Sequence, residues 1–131
     1  MINLQELRFG NRILQKSGTK INAVPFGIQH MELLLKAEGS SLYPVVLKPD
    51  ILERCGFKEN KQYPLLPEAR EFTLILPVQG GNQNLLYVYN KSNGECFGRA
   101  MVNGLVASNN FFYLHQLQNL FYALTAKELD V

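Results

Sequence analysis

The chain has little of what most enzyme chemistry, secretion or membrane insertion would need. Of its 131 residues only Cys55 and Cys96 are cysteines, which indicates no disulfide framework and makes a reducing cytosol the default setting. Charged residues amount to 18%, and 13 basic against 11 acidic residues leave a net charge of +2. That is too small a charge to imply nucleic acid by itself. The opening Met1-Ile-Asn-Leu-Gln-Glu6 carries neither a basic segment nor an apolar run, so no signal peptide is expected. No apolar stretch approaches the roughly 20 residues that cross a bilayer. Motifs are equally sparse. Gln79-Gly-Gly-Asn82 lacks the Gly-Lys-Ser/Thr and the following helix of a phosphate loop and reads as a hairpin loop. Cys55, Cys96, His30 and His115 show no Cys-x-x-Cys or paired-His spacing, so no metal and no cofactor are expected. The setting expected is the cytoplasm.

What is present is a globular composition, with 47% hydrophobic residues. A chain of this length buries roughly two thirds of its unfolded surface. A single domain over 1–131 is expected, or a β lobe over 1–47 followed by a unit over 48–131. Glu6-Leu-Arg-Phe-Gly-Asn-Arg-Ile-Leu14 alternates apolar and polar residues, apart from Gly10-Asn11, and predicts a strand with a bulge or sharp bend. Ser17-Gly18 turns the chain into a second strand, Lys20 to Phe26, ending at Pro25. Residues 28–38 fit a helix through Ile28, Met31 and Leu35, and fit a strand through Met31, Leu33 and Leu35. The strand is preferred, because with Leu42 to Leu47 it completes a small SH3-like barrel. Pro49 to Cys55 predicts a two-turn helix, with Pro at its first position and Gly56 as its left-handed exit. Lys58 to Arg70 reads as a loop. Four strands follow over 71–77, 85–89, 96–102 and 105–113, with tight turns at Asn93-Gly94 and Asn103-Gly104, as an antiparallel meander. The fold class is therefore α+β.

The chain is organised around Tyr113-Leu-His-Gln-Leu-Gln-Asn-Leu-Phe-Tyr-Ala-Leu-Thr125. Leu114, Leu117, Phe121 and Leu124 recur at helical spacing, widened by Leu120, and predict an amphipathic helix packed on the sheet. No charge stands between Phe111 and Ala126. The polar face is His115, Gln116, Gln118 and Asn119, side chains suited to burial against another backbone or to contact with a partner. Thr125-Ala-Lys-Glu128 has the spacing of a capping box, which predicts a further short turn.

Three segments resemble a family of small uncharacterised proteins of phages and prophage-like regions of gut bacteria. Glu6-Leu-Arg-Phe-Gly-Asn11 resembles the family's Glu-Leu-Arg-Ile-Gly-Asn opening. Tyr43-Pro-Val-Val-Leu47 with Ile51-Leu-Glu-Arg-Cys-Gly-Phe57 resembles its Pro-Ile-Pro-Leu-Thr-Glu-Glu segment leading to Gly-Phe. The stretch from Tyr113 to Thr125, with Lys127-Glu-Leu129, resembles its His-Gln-Leu-Gln-Asn-Leu-Tyr-Phe-Ala-Leu-Thr-Gly-Glu-Glu-Leu signature. Lys48-Pro49 departs from Thr-Glu, weakening the helix cap, and Ala126 departs from Gly at the helix exit. The resemblance implies a phage association and this order of elements, and carries no activity.

Three functions follow as expectations. The leading one is a non-enzymatic accessory protein that binds a protein partner or itself, on account of the charge-free polar helix face around Tyr113, His115, Gln116 and Asn119. The second is a binder of nucleic acid or of a small anionic, nucleotide-like ligand through Arg8, Arg12, Lys16 and Lys20, a dimeric antagonist of host defence being one form of it. The third is a small hydrolase built on His115, although no Ser, Asp or Glu accompanies it in that segment. The carboxylates Glu32, Glu38, Glu68 and Glu71 give no clear acid–base pair.

Overall fold

The computed structural model describes residues 4–35, 42–60, 69–76, 84–91, 93–102 and 105–131; of 4, 33–35 and 69 it describes the backbone alone. The fold is α+β, with eight strands in two antiparallel sheets and three α-helices among the described residues. The chain forms two compact units, one of Met1–Val46 with Tyr113–Asn119 and one of Leu47–Phe112 with Leu120–Val131. Among the described residues no helix is long and apolar enough to cross a membrane.

The first unit opens with a single 3-10 turn, Leu4–Glu6, and a β-turn over Arg8 to Asn11 closed by the Asn11 N–H on the Arg8 carbonyl at 3.0 Å. Gly10 sits there at φ +94°, the third-position value of a type II turn, where a Cβ would be strained. Strands β1 (Arg12–Ser17), β2 (Lys20–Pro25) and β3 (Leu42–Pro44) form an antiparallel sheet in the order β2-β1-β3. The expected strand thus starts at Arg12, after a sharp bend. One sheet face contributes Ile13 and Leu42 to a core with Phe26, packed by Leu7, Val24 and Met31. The first half of helix α3 (Leu114–Thr125) belongs to this unit, with Leu114 and Leu117 buried.

Two expectations fail in this unit. Among the described residues no barrel closes, because β2 and β3 each pair only with β1. The residues expected as a third strand form helix α1 instead, Ile28–Leu35. Gly27 explains the outcome: its carbonyl accepts from the N–H of His30 and Met31, while its own N–H is taken by Nδ1 of His30 at 3.0 Å. The first turn is satisfied locally, and the helical spacing of Ile28, Met31 and Leu35 prevails over period two.

The second unit carries α2 (Pro49–Arg54) and the sheet β4 (Lys58–Asn60), β5 (Ala69–Ile75), β6 (Leu85–Lys91), β7 (Cys96–Val102) and β8 (Leu105–Val106), paired in chain order. Helix α2 ends as its sequence predicts. Gly56 at φ +97° turns left-handed, its N–H reaches the Glu53 carbonyl, and the Phe57 N–H reaches that of Leu52 at 3.0 Å. The segment expected as a loop begins with β4, an added edge to the meander. The last meander strand is shorter than expected; beyond Val106 the Ala107 N–H still reaches the Ala100 carbonyl at 2.9 Å, and Phe111 bonds Gly98 in both directions at 2.9 Å. Phe72, Leu86, Val88 and Ala100 line one face and are fully buried. After α3, Thr125 accepts from the Lys127 N–H at 3.1 Å and no further helix forms among the described residues, contrary to the capping-box expectation. The expected loop at 79–82 and the turn at 103–104 lie outside the described residues, as does Glu38.

Candidate functional site

The two most distinctive segments of the sequence meet within the first unit. Asn11 is fully buried: its Oδ1 accepts from the Arg8 N–H at 2.6 Å, and its Nδ2 donates to Asn119 Oδ1 at 2.9 Å. The same Asn119 oxygen accepts from Arg8 Nε at 3.2 Å, and Asn119 Nδ2 donates to the Glu6 carbonyl at 2.6 Å. Gln118 Oε1 accepts from the Arg12 N–H at 2.8 Å, which fixes the start of β1. The Glu6 carboxylate takes His115 Nε2 at 3.1 Å and Gln116 Nε2 at 3.3 Å. Gln116 Oε1 in turn accepts from the Tyr113 N–H at 3.1 Å, capping α3 from inside its first turn. Each amide of the helix face therefore has a partner more than 100 residues distant or caps the helix itself.

His115 is the residue with the most obvious chemical potential. It is 1% exposed, lies under the Tyr113 ring (centroids 5.8 Å apart, planes 8° from parallel), and spends Nε2 on Glu6. Its Nδ1 is buried with no hydrogen-bond partner. A substrate atom has no route to a ring so enclosed. Of the remaining candidates, the Arg8 guanidinium is engaged with Asn119, while Lys16 and Lys20 stand exposed at the β1–β2 hairpin and Arg12 is half-buried.

The thiols are unsuited to nucleophilic work. Burial pushes the Cys55 thiol up to about 11, against the opposing pull of Arg54, and burial also raises Cys96 against the hydrogen bond from Asn90. Both are protonated at neutral pH, and a thiol is a poor nucleophile and a poor metal ligand. Among the described residues no group of His, Cys, Asp or Glu is placed to hold a metal ion.

One polar cluster has no forerunner in the sequence, where Glu71 simply opens the strand expected over 71–77. It lies in β5, 5% exposed, between Asn60 and Tyr89 in cross-strand register. Its Oε1 accepts from Asn60 Nδ2 at 3.0 Å and its Oε2 has no partner. Burial, and then the Glu71 carboxylate, push the Tyr89 phenol well up, so it stays a neutral hydroxyl. Only register, which pairs residues by partner strand and not by sequence proximity, brings these three together. A hollow of about 230 Å³ in this unit is lined by Gly56, Lys58, Thr73, Leu74 and Ile75. It is smaller than the roughly 300 Å³ at which ligand pockets begin.

The uncovered surface of the first unit is the sheet face opposite its core. Leu14 pairs with Ala23 on one side and Tyr43 on the other, and Arg12 and Lys16 share that face of β1. Ile21 is 58% and Tyr43 39% exposed. Against known proteins, the chain matches no family model, no curated protein and no solved structure.

Proposed function

We propose that this protein is an accessory protein of phage type that works by binding, in the cytoplasm of a bacterial host, and that its working surface is the uncovered face of the β2-β1-β3 sheet. The observation that carries this reading is the contrast between two sets of polar and apolar groups. The helix face that suggested a partner in the sequence is spent on its own chain, through Glu6, Arg8, Asn11 and Arg12. The sheet face instead leaves Ile21 and Tyr43 in water, an apolar exposure that a partner would relieve. The phage association is supported by the likeness of the three segments alone.

Capture from bacterial extract tests the reading. The wild-type chain should retain material that an Ile21→Glu, Tyr43→Glu double variant loses, with both proteins equally folded by circular dichroism. Equal retention by both, or none by either, overturns it.

A second reading is self-association through the β2 edge. Phe26 bonds Asn11 across the start of β1, so alternate residues Lys20, Asn22 and Val24 face β1. Ile21, Ala23 and Pro25 then direct their backbone groups outward. A mass that doubles with concentration in light scattering, and returns to one chain in Ala23→Pro, would support that pairing. A single-chain mass throughout disposes of it.

A further inference from the structure

We infer that the occupant of the uncovered β2-β1-β3 face is a single-stranded nucleic acid, its bases laid on Tyr43 and its phosphates met by Arg12 and Lys16. The inference rests on the reading of that face as the working surface and adds the class of partner.

Charge comes first. The three strands carry Arg12, Lys16 and Lys20 and no carboxylate; Arg12 and Lys16 belong to the uncovered face with Leu14, and Lys20, opposite Ser17, to the other. No ion pair among the described residues uses any of the three. The net charge of +2 for the whole chain hides this local concentration. The partner that such a sheet attracts is an anionic polymer.

Geometry narrows the class. Leu14 is the cross-strand neighbour of Tyr43, and Arg12 and Lys16 flank Leu14 by two residues on either side. At strand rise each cation stands about 7 Å along β1 from the level of the ring. An exposed flat ring between two cations on an otherwise apolar face (Leu14, Ile21, Ala23, Pro25) is the arrangement in which bases stack and phosphates are neutralised alongside. A duplex hides its base faces and would leave this apolar surface unused. A polypeptide pairing with the β2 edge would engage backbone groups there and leave Tyr43 and the cations of the face unmet. Pro25 has no N–H, which leaves Ile21 and Ala23 as the outward donors of that strand.

The test is fluorescence anisotropy with labelled 20-nucleotide oligo(dT) and oligo(U), and with a duplex of the same length as competitor. Two neutralised phosphates predict affinity falling about sevenfold between 50 and 200 mM salt. Arg12→Gln with Lys16→Gln should flatten that dependence. Tyr43→Ala should weaken binding about 5- to 100-fold while Tyr43→Phe retains it. Melting curves of all variants should match the wild type, since these side chains lie outside the core. Absent binding at low salt, binding indifferent to Tyr43→Ala, or a duplex that competes as well as the single strand would each overturn the inference. If the extract experiment instead yields a nuclease-resistant protein lost with Ile21 and Tyr43, this inference falls while the working surface stands. If neither experiment responds to that face, both fall.

Discussion

Gly27 donates its N–H to Nδ1 of His30, and Nε2 of the same ring lies 3.2 Å from Gln15 Oε1. A backbone donor on Nδ1 assigns the proton to Nε2, so the neutral ring is the form that fits. Burial lowers the His30 pKa from its ordinary 6.5, in the same direction. Because the folded value lies below the unfolded one, this stabilisation is complete above pH 6.5 and is lost as pH falls from there toward the folded value. Urea unfolding at pH 7.5 and 5.5 should show a loss of stability that shrinks in His30→Gln. Ala126 gives a second prediction at this scale. It follows α3 at φ +57°, and its N–H caps the Tyr122 carbonyl at 2.8 Å. Left-handed backbone costs a Cβ-bearing residue about 1–2 kcal/mol, and glycine returns about 0.4–1 of that as unfolded-chain entropy. Ala126→Gly should therefore raise stability by about 0.5–1 kcal/mol, read from the denaturation midpoint.

Among the elements, α3 depends on contacts far away in sequence. Asn119 alone makes three hydrogen bonds, to Arg8, Asn11 and the Glu6 carbonyl. Asn119→Ala removes all three and leaves the buried Asn11 amide unpaired, a loss of about 2–3 kcal/mol in urea unfolding. A loss under about 0.5 kcal/mol would mean that the turn over Arg8 to Asn11 holds without the helix. The helix itself was legible from spacing, because Leu114, Leu117, Phe121 and Leu124 repeat with its period. The use of its polar face was not, since amide side chains bond a partner protein and a distant turn with the same geometry. Helix α2 was legible to within one residue, because Pro49 and Gly56 act through local backbone sterics. Helix α1 was not, because Met31 and Leu35 satisfy both periods and the deciding bonds come from Gly27 and His30.

For the molecule as a whole, a charge of +2 and an isoelectric point near 8.6 leave little electrostatic repulsion between copies at mildly basic pH. Turbidity at fixed concentration should peak near pH 8.6 and fall at pH 6.5, where added positive charge keeps copies apart. The basic groups are unevenly spread, and no composition figure reveals that. The sequence by itself determined the α+β class, the meander, the caps of α2 and the buried stripe of α3. Each of these follows from periodicity or from backbone sterics acting over a few residues. Only the tertiary structure decided that Glu6, Arg8 and Asn11 engage His115 and Asn119, that Glu71 lies beside Tyr89, and that Tyr43 stands among cations on an open sheet. Those are pairings set by strand register and by chain closure over more than a hundred residues, and no local pattern encodes them.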